Sequence, residues 1–342
     1  MKEVVILGSG SWGTALGIIL AKKGIGVKLW CRDKNFAEIL INDRENKKYL
    51  PGVKLPSNIY FSADMESMVS RAECIVFAVP SHSLRGLLSQ LKNLIPDQAT
   101  VINTAKGIEP TTLMRLSEVF DDVIPEISSR FAVLSGPSHA EEVGREMPTT
   151  VVAASRNRQT AEKVQDIFMS PKFRVYTNPD LIGVEIGGAL KNVIALATGI
   201  SDGLGYGDNT KAALITRGIS EIARLGLKMG ANPLTFAGLT GIGDLVVTCT
   251  SMHSRNRRAG IALGQGKPLD IVLREMGMVV EGVRTTQAVR SLGEKYKVDL
   301  PISYEVYNVL FNGVPLAEGV VNLMTRIKTN EMEEIVDANE KW

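Results

Sequence analysis

The start of the chain constrains its fold more than any other segment. A short apolar run at residues 4–7 is followed by Gly8, Gly10 and Gly13 in the sequence GSGSWG, and a helical pattern then covers residues 14–23. Between a strand and a helix, glycines at this spacing permit a tight turn, let a pyrophosphate approach the backbone and let the helix pack closely on the strand. The helix N-terminus adds unpaired N–H groups that attract phosphate. We therefore expect a dinucleotide site, the alternative being a glycine-rich turn that only packs tightly.

Short apolar runs recur through the first 180 residues and are separated by helical patterns. The runs lie at residues 4–7, 27–31, 74–79, 100–104 and 131–134. Runs that are apolar throughout are typical of strands buried on both faces of a parallel sheet. They predict an α/β fold, with a doubly wound, Rossmann-type domain over residues 1–180. Two later runs, 149–154 and 174–176, are expected to extend the sheet, with an antiparallel orientation left open.

The pattern changes after residue 180, where small and aliphatic residues at helical spacing dominate. The clearest apolar helical face consists of Ala212, Ile215, Ile219, Ile222 and Gly226. A chain of 342 residues exceeds the usual size of a single core, so two domains are expected. We predict a mainly helical second domain over residues 181–342, joined to the first by a helix at 181–200 and ending in a charged tail at 331–342.

Composition excludes several classes of protein. With 39 basic and 37 acidic residues, the chain lacks the basic excess of a general nucleic-acid or membrane-surface binder. Its three cysteines, Cys31, Cys74 and Cys249, are far apart and form no metal-binding or disulfide pattern, which fits the reducing cytoplasm. The chain shows no secretion signal, and no uncharged apolar run reaches membrane-spanning length. We expect a cytoplasmic protein without stable membrane insertion.

The end of the second predicted strand bears on the choice of cofactor. An acidic residue at this position binds the adenine ribose hydroxyls and favours NAD, whereas an arginine can hold the 2′-phosphate of NADP. The sequence places Arg32 near that position and Asp33 directly after it. We favour NADP and leave NAD open. Arg32 as an ordinary exposed charge at a strand end is the alternative.

Two polar segments follow predicted strands, at the sheet edge where ligands of open α/β sheets bind. The first contains Lys106, which is placed to meet an anionic or carbonyl group, or else to lie in solvent before a glycine turn. The second contains Ser138, which is expected either to contact substrate or to cap the next helix in a capping box with Glu141. We do not favour the neighbouring His139 as a general acid, because nothing in the sequence pairs it with a carboxylate.

A lysine emerges from the apolar helix that is expected to join the domains. Lys191 follows small residues at 187–189, which would let the helix approach a planar ring. A lysine buried beside other cations loses its preference for the charged form and can transfer a proton near neutral pH. The alternative is a lysine whose stem lies along an amphipathic helix and whose amine reaches solvent.

Asp244 is the one carboxylate in a long apolar, glycine-rich segment. If Asp244 begins a helix, Thr248 lies one turn later on the same face, and Asp244 can hold Lys191 or accept from a substrate hydroxyl. Its alternative role is that of a helix N-cap. In the sequence SRNRR at 254–258, Arg255 and Asn256 combine forked donors with an amide, a composition suited to a phosphate ester, although a basic run is commonly a solvated face.

Taken together, these segments resemble the NAD(P)-dependent glycerol-3-phosphate dehydrogenases of the bacterial type. The matching stretches are GSGSWGTAL (8–16), NTAKGIE (103–109), LSGPSHAEEV (134–143), GGALKNVIALATGISDGLGYGDNTKAALITRG (187–218), GLTGIGDLVVTCTS (238–251), SRNRR (254–258) and VVEGVRTT (279–286). The resemblance implies a Rossmann domain, a helical domain and an active site in the cleft between them. It also implies interconversion of dihydroxyacetone phosphate and glycerol 3-phosphate for phospholipid synthesis, and a homodimer is compatible with it.

The resemblance assigns roles to particular residues. It implies that Lys191 is the catalytic acid/base and that Lys106 and Asp244 complete the catalytic site. The residues expected to contact substrate are Lys106, Gly136, Ser138, Lys191, Asp244, Ser254, Arg255 and Asn256. The residues expected to contact the dinucleotide, besides Gly8, Gly10 and Gly13, are Ser11, Trp12, Arg32, Lys106, Ala140, Arg255, Val279 and Glu281.

The expected reaction is hydride transfer to C2 of dihydroxyacetone phosphate, with protonation of the developing alkoxide by Lys191. Lys106 would add positive charge near that oxygen, and no metal would be needed because lysine supplies the electrophile. Two other readings remain open at this stage. One is a related dehydrogenase similar to 6-phosphogluconate dehydrogenase, and the other is a catalytically silent NAD(P)-binding protein.

Overall fold

The computed structural model describes residues 3–328 and 331. Most of the N-terminal half surrounds an eight-stranded sheet in the order β10-β9-β8-β7-β6-β1-β2-β5. Its strands are β1 Glu3–Leu7, β2 Gly26–Trp30, β5 Ile59–Ser62, β6 Cys74–Phe77, β7 Thr100–Asn103, β8 Phe131–Ser135, β9 Thr149–Ala154 and β10 Phe173–Asn178. A separate hairpin pairs β3 Glu45–Asn46 with β4 Leu50–Lys54. The predicted α/β, doubly wound domain is confirmed.

The two faces of the sheet account for the apolar runs in the sequence. In β1, Val4 and Ile6 pack into one apolar cluster while Val5 and Leu7 pack into another on the opposite face. Strands β5, β2, β1, β6, β7 and β8 are all parallel to one another. Strand β9 is antiparallel to β8, and β10 is parallel to β9. Both late runs therefore extend the sheet, in the reversed orientation that had been left open.

Helices cover both faces of this sheet. They are α1 Ser11–Lys22, α2 Lys34–Asp43, α3 Met65–Val69, α4 Leu84–Leu91, α5 Leu116–Val123, α6 Ala140–Gly144 and α7 Arg158–Phe168, with 3₁₀ turns at Ser81–Ser83 and Pro125–Arg130. Helix α1 begins three residues before the predicted start at residue 14, and α4 ends four residues before the predicted end at 95. Hairpin strands β3 and β4 and edge strand β5 were not predicted, since β4 contains Pro51 and Gly52 and β5 alternates in burial.

The C-terminal half is helical, as predicted. Its helices are α8 Leu181–Gly203, α9 Asp208–Lys228, α10 Pro233–Phe236, α11 Asp244–Thr250, α12 Arg255–Gly264, α13 Leu269–Met276, α14 Glu281–Tyr296, α15 Pro301–Phe311 and α16 Leu316–Met324, with a π-helical turn at Leu239–Gly243. The tail predicted at 331–342 lies, apart from Glu331, outside the described residues.

Helix α8 lies at the centre of the second half of the molecule. Its first residues, Leu181 and Val184, pack under the sheet, while its later residues form the core of the helical region. Helix α12 lies against it at very short range, because a Cβ on Gly199 would stand 2.2 Å from the Arg257 carbonyl oxygen and one on Gly260 would stand 2.4 Å from that of Leu196. The contact holds α12 in a fixed position relative to α8.

The predicted apolar face of α9 is only partly buried. Ile222 and Gly226 are buried, Ile215 and Ile219 are half-buried, and Ala212 is exposed. The spacing was therefore correct: Ile215 and Ile219 pack against the edge of the helical core, whereas Ala212 at the start of this face is exposed.

Two segments, Leu181–Gly203 and Pro233–Thr250, are long and apolar enough to span a membrane by length and composition alone. Within the structure, 94% of the apolar window of the first is buried, against 44% of that of the second. Neither is uncharged, since the first contains Glu185 and Lys191 and the second contains Asp244. For α8, burial in the protein core explains the apolar composition.

Candidate active site

The glycine turn after β1 has the three properties expected of a dinucleotide site. Gly8 has φ +118°, and a Cβ there would lie 2.5 Å from the Ala78 carbonyl oxygen. A Cβ on Gly13 would lie 2.0 Å from the Gly8 oxygen, so only glycine lets α1 approach the turn this closely. Gly10 has no neighbouring atom within 4 Å of its Cβ position, which leaves its backbone open to a ligand. The residues present therefore fit a dinucleotide pyrophosphate.

The two residues relevant to cofactor choice, Arg32 and Asp33, have different surroundings after the end of β2. The side chain of Asp33 is the N-cap of α2 and accepts from the Asn35 amide at 2.8 Å. Arg32 is exposed beside it. One carboxylate oxygen of Asp33 is therefore occupied by the helix cap, whereas the Arg32 guanidinium faces solvent.

Three charged side chains meet where the two halves of the chain face each other. Asp244 is 1% exposed and pairs through its two oxygens with two lysines. Its Oδ2 accepts from Lys106 Nζ at 2.6 Å, and its Oδ1 accepts from Lys191 Nζ. Lys106 follows β7 in the first half of the chain, whereas Lys191 and Asp244 belong to α8 and α11 in the second. The structure thus brings together the three residues to which the sequence assigned catalysis.

The surroundings of this cluster exclude the solvent-exposed and helix-capping placements that the sequence left open for these residues. Lys191 is 6% exposed, so its amine does not reach solvent along the helix surface. Asp244 is the first residue of α11, and Gly243 occupies the N-cap position, so Asp244 is no N-cap. Lys106 donates to the Gly136 carbonyl oxygen at 3.0 Å as well as to Asp244, so it is not a free solvated lysine.

Thr248 orients the Lys191 amine. Its hydroxyl donates to the Asp244 carbonyl oxygen one turn earlier and accepts from Lys191 Nζ at 2.8 Å. Lys191 therefore directs one N–H to the Asp244 carboxylate and another to Thr248. An ammonium has three N–H groups, so one remains for a substrate oxygen.

The proton affinities of the cluster follow from burial and charge. Burial, together with the charge of nearby Lys106, lowers the pKa of Lys191 to about 7 against the opposing effect of Asp244. Burial alone would raise the pKa of Asp244, but the two ammonium groups outweigh it and hold that pKa below its usual range. At neutral pH the carboxylate is therefore charged, while the Lys191 amine is poised to gain or lose a proton.

The segment after β8 contributes carbonyl groups and a hydroxyl. Gly136 has φ +138°, and its carbonyl oxygen accepts from both Lys106 Nζ and Ser138 Oγ, the latter at 2.9 Å. The capping box predicted for Ser138 is wrong, because α6 begins at Ala140 with His139 as its N-cap and has no side-chain cap. The local hydrogen bond to Gly136 takes the place of the cap.

His139 is not paired with a carboxylate, in agreement with the sequence analysis. Its Nε2 lies 3.4 Å from the Val247 carbonyl oxygen, and its ring lies 5.8 Å from that of His253. Burial lowers the pKa of His139, and the charge of Lys191 lowers it further. His139 is therefore neutral at pH 7.

The N-terminus of α12 lies beside α8 near Lys191, because Asn256 donates to Asn192, the next residue after Lys191. Ser254 is its N-cap and accepts from the Arg257 amide at 3.2 Å. The backbone N–H groups of Arg255 and Asn256 are in the first helical turn, where they have no carbonyl partner within the helix. The Arg255 guanidinium donates to the Val279 carbonyl oxygen at 3.1 Å. The free amides at this helix start and the Arg255 guanidinium are groups suited to binding an anion.

The small residues before Lys191 lie against protein atoms. A Cβ on Gly187 would lie 2.4 Å from the Thr240 carbonyl oxygen, and one on Gly188 would lie 3.1 Å from Ser135 Oγ and 3.5 Å from Lys106 Cγ. These glycines let α8 approach protein atoms closely, whereas the predicted approach to a planar ring stays a prediction.

Comparison with known proteins identifies the family. Residues 3–161 match the model of the NAD-dependent glycerol-3-phosphate dehydrogenase N-terminus, and residues 180–321 match that of the corresponding C-terminus. This chain belongs to the NAD-dependent glycerol-3-phosphate dehydrogenase family.

Individual glycerol-3-phosphate dehydrogenases are similar over almost their whole length. The NAD(P)+ enzyme of Pelotomaculum thermopropionicum is 57% identical over 334 residues, which cover 97% of this chain and 96% of that protein. The one of Bacillus subtilis strain 168 is 55% identical over 341 residues, 99% of each. A crystal structure of glycerol-3-phosphate dehydrogenase from Coxiella burnetii is 37% identical, with a TM-score of 0.91 over 95% of this chain and 99% of that chain.

Two contacts of this family member were not expected from the sequence. Asn192 accepts from the Asn256 amide at 2.8 Å, while Asn256 Oδ1 accepts from the Gly282 amide at 2.9 Å, so Asn256 links α8, α12 and α14. Glu281 accepts from the amide of Ser81 at 3.0 Å and from its hydroxyl at 2.6 Å. Ser81 follows β6 at the ligand-binding edge of the sheet, and that position could have identified it.

Among the described residues, no group of three or more His, Cys, Asp or Glu side chains could hold a metal ion. All three cysteines are free and buried.

Proposed function

We propose that this chain interconverts dihydroxyacetone phosphate and sn-glycerol 3-phosphate with NAD(P)(H), and that Lys191 is its general acid/base. The observation that carries the proposal is the buried Lys191 amine, which Asp244 and Thr248 hold beside Lys106 where the two halves of the chain meet. An amine with a pKa of about 7 can deliver a proton and recover it near neutral pH.

In the reducing direction, the Lys191 ammonium donates its free N–H to the C2 oxygen of dihydroxyacetone phosphate and protonates the developing alkoxide. Lys106 supplies a second positive charge near that oxygen, and Asp244 keeps both ammonium groups in place. Fixed charges stabilise an oxyanion most strongly in a site from which water is excluded. The bound nicotinamide supplies or accepts the hydride. In the oxidising direction, neutral Lys191 takes the hydroxyl proton.

The phosphate of the substrate is assigned to the N-terminus of α12. There the backbone amides of Arg255 and Asn256 and the Arg255 side chain would bind it, with Gly136, Ser138 and Ser254 completing the substrate site. Asn256 already uses its side-chain amide to bridge α8 and α14, so its backbone N–H is the better donor for phosphate. Binding energy from a remote phosphate orients C2, so a substrate without phosphate should lose turnover as well as affinity.

The dinucleotide is assigned to the turn formed by Gly8, Gly10 and Gly13. The other residues proposed to contact it are Ser11, Trp12, Arg32, Lys106, Ala140, Arg255, Val279 and Glu281. We propose a preference for NADP over NAD, because Arg32 is exposed at the end of β2 whereas Asp33 is engaged in the α2 cap.

The proposal also covers the domain organisation, location and assembly of the enzyme. Residues 1–180 would form the dinucleotide-binding domain and residues 181–342 the substrate domain. The family resemblance supports a cytoplasmic homodimer that supplies glycerol 3-phosphate for phospholipid synthesis, and the balanced charge of the chain supports the absence of nucleic-acid partners.

One assay tests the proposal. Oxidation of NADH and of NADPH is followed with dihydroxyacetone phosphate or with unphosphorylated dihydroxyacetone, for the wild-type chain and for Lys191→Met. We expect turnover with the phosphorylated substrate, faster with NADPH, and a loss of about 10²- to 10⁴-fold in kcat for the variant. Cofactor affinity, measured by fluorescence titration, should be nearly unchanged. Near-normal turnover of Lys191→Met would remove this lysine from the acid/base role.

A further inference from the structure

A buried carboxylate on α8 has no part in the proposed chemistry. Glu185 is 7% exposed and lies six residues before Lys191, with Gly188 midway between them. Residues three apart are neighbours on a helix surface, so Gly188 lies next to both, although Glu185 and Lys191 themselves point about 120° apart around α8. The Gly188 side of the helix faces the dinucleotide-binding half of the molecule, because Gly188 is next to Ser135 and Lys106.

All of the side-chain partners of Glu185 in the described structure come from the other half of the chain. Its Oε1 accepts from the Ser117 amide at 2.7 Å, and its Oε2 accepts from the Ser117 hydroxyl and from Arg115 Nη1, each at 2.6 Å. Ser117 is in the first turn of α5, so Glu185 caps that helix from outside and places negative charge at its N-terminus. The Arg115 side chain is also buried, with 7% exposed.

The residues that Glu185 holds are joined to Lys106 by a short folded segment. The chain leaves β7, passes Lys106 and folds back so that Arg115 forms a β-bridge with Ile108. Within this turn the Glu109 amide donates to the Met114 carbonyl oxygen at 2.9 Å. Arg115 is thus fixed beside a residue that lies only two positions from Lys106.

On the side that faces α8, the Lys106 stem borders a small cavity, so packing is not the only interaction that positions it. A small cavity of about 10 Å³ is lined by Lys106, Ser135, Glu185 and Gly188. In the described part of the chain, Ser135 Oγ has no hydrogen-bond partner there. The polar contacts of Lys106 and the anchoring of its segment therefore add to packing in fixing the position of its amine.

We propose that Glu185 is a positioning residue: by binding Arg115 and Ser117 it fixes the Lys106 segment against α8, so that Lys106 and Lys191 meet at Asp244. The inference rests on the catalytic roles proposed above for the two lysines. Lys106 and Lys191 come from different halves of the molecule, and a displacement of about 1 Å between such groups costs up to about 10²-fold in rate. Glu185 is the carboxylate that ties α8 to the Lys106 segment.

The structure offers a matched control for a purely structural effect. Glu221 in α9 is also a fully buried carboxylate that caps another helix, since it accepts from the Ile302 amide at 2.5 Å and from the Ser303 hydroxyl at 2.9 Å. It caps α15 and does not touch the Lys106 segment. Glu185→Gln and Glu221→Gln therefore each replace a buried carboxylate that caps a helix, and only Glu185 contacts the segment that carries Lys106.

The experiment measures kcat, KM for dihydroxyacetone phosphate and the pH dependence of kcat for wild type, Glu185→Gln and Glu221→Gln, below the melting temperature of each. We expect Glu185→Gln to lower kcat about 10- to 100-fold, with a smaller change in KM for dihydroxyacetone phosphate. The high-pH decline in kcat should also move to higher pH, because a displaced Lys106 no longer lowers the pKa of Lys191. Glu221→Gln should keep the wild-type kcat and profile.

A wild-type kcat and an unmoved profile in Glu185→Gln would overturn the inference, as would the same change in Glu221→Gln. If Glu185→Gln does not fold, Arg115→Lys replaces it, because it keeps the positive charge and loses the forked geometry. The same lowered kcat and shifted profile are then expected, and wild-type values would overturn the inference. Activity of the wild type and inactivity of Lys191→Met separate a failure of this inference from a failure of the proposed function.

Discussion

Two carboxylates in the helical half of the molecule, Asp244 and Glu221, are equally buried but differ in their partners. Each is 1% exposed. The partners of Asp244 are two ammonium groups, and its pKa is held below the usual range although burial opposes this. Glu221 accepts from backbone amides and a hydroxyl, and burial raises its pKa to about 7. Since these two carboxylates are equally buried, the charge of their partners accounts for the opposite directions of their pKa shifts.

The difference separates a site that performs chemistry from a site that joins helices. Around Asp244, two cations and one anion share a small volume, so the proton on Lys191 is loosely held. Around Glu221, neutral donors stabilise the start of α15, and protonation there changes stability rather than reactivity. Substitutions at or beside Asp244 should therefore change the reaction rate and its pH dependence, whereas a substitution at Glu221 should change stability.

Asp244→Asn should have the largest effect. Removing this anion leaves two ammonium groups side by side and takes away the charge that raises the pKa of Lys191, so that pKa should fall below about 7. We expect kcat for reduction to fall by about 10²-fold or more, and its high-pH decline to move to lower pH, because less Lys191 is protonated. Rate profiles against pH measure both effects. A profile at the wild-type position would show that Asp244 does not control this amine.

Lys106→Met should have the next largest effect, with the opposite sign in pH. Lys106 lowers the pKa of Lys191, so its removal should raise that pKa and move the high-pH decline in kcat upward. Loss of the positive charge near the substrate oxygen should lower kcat by about 10- to 10²-fold. Comparison with Asp244→Asn is decisive. If the high-pH decline in kcat moved in the same direction in both variants, the opposing effects assigned to Asp244 and Lys106 on the pKa of Lys191 would be contradicted.

Glu221→Gln should have the smallest effect, and it should act on stability. The pKa of Glu221 is raised in the folded state, so its contribution to the free energy of unfolding is present below the unfolded pKa and is lost as the pH rises through about 7. The wild type should therefore lose up to ~3 kcal/mol from this group between acidic and alkaline pH, while the variant does not. Melting temperatures of both proteins against pH test this, and a constant difference between them would refute it.

Sequence reasoning reached the residues of the site but not most of their contacts. Lys106, Lys191 and Asp244 stood out because a charged residue in an apolar or glycine-rich segment needs an explanation, and their meeting at one point is confirmed. The role of Ser138 as a cap was wrong, since the sequence pattern of a capping box does not exclude a competing hydrogen bond to Gly136. Glu185 went unremarked because one carboxylate in a long apolar helix has no local partner.

Local requirements of the backbone and of burial were enough to predict the glycine turn, the strands buried on both faces and the helical second half. A turn that excludes Cβ at Gly8 and Gly13 requires glycine there, and a strand such as β1 that is buried on both faces requires an apolar run. Both patterns are visible within a few residues of sequence. The contacts of Lys106 with Asp244, of Glu185 with Ser117 and of Glu281 with Ser81 join residues 138, 68 and 200 positions apart. Only the packing of the two halves against each other decides such contacts, because the energy of an ion pair or a cap depends on distances that no short stretch of chain contains.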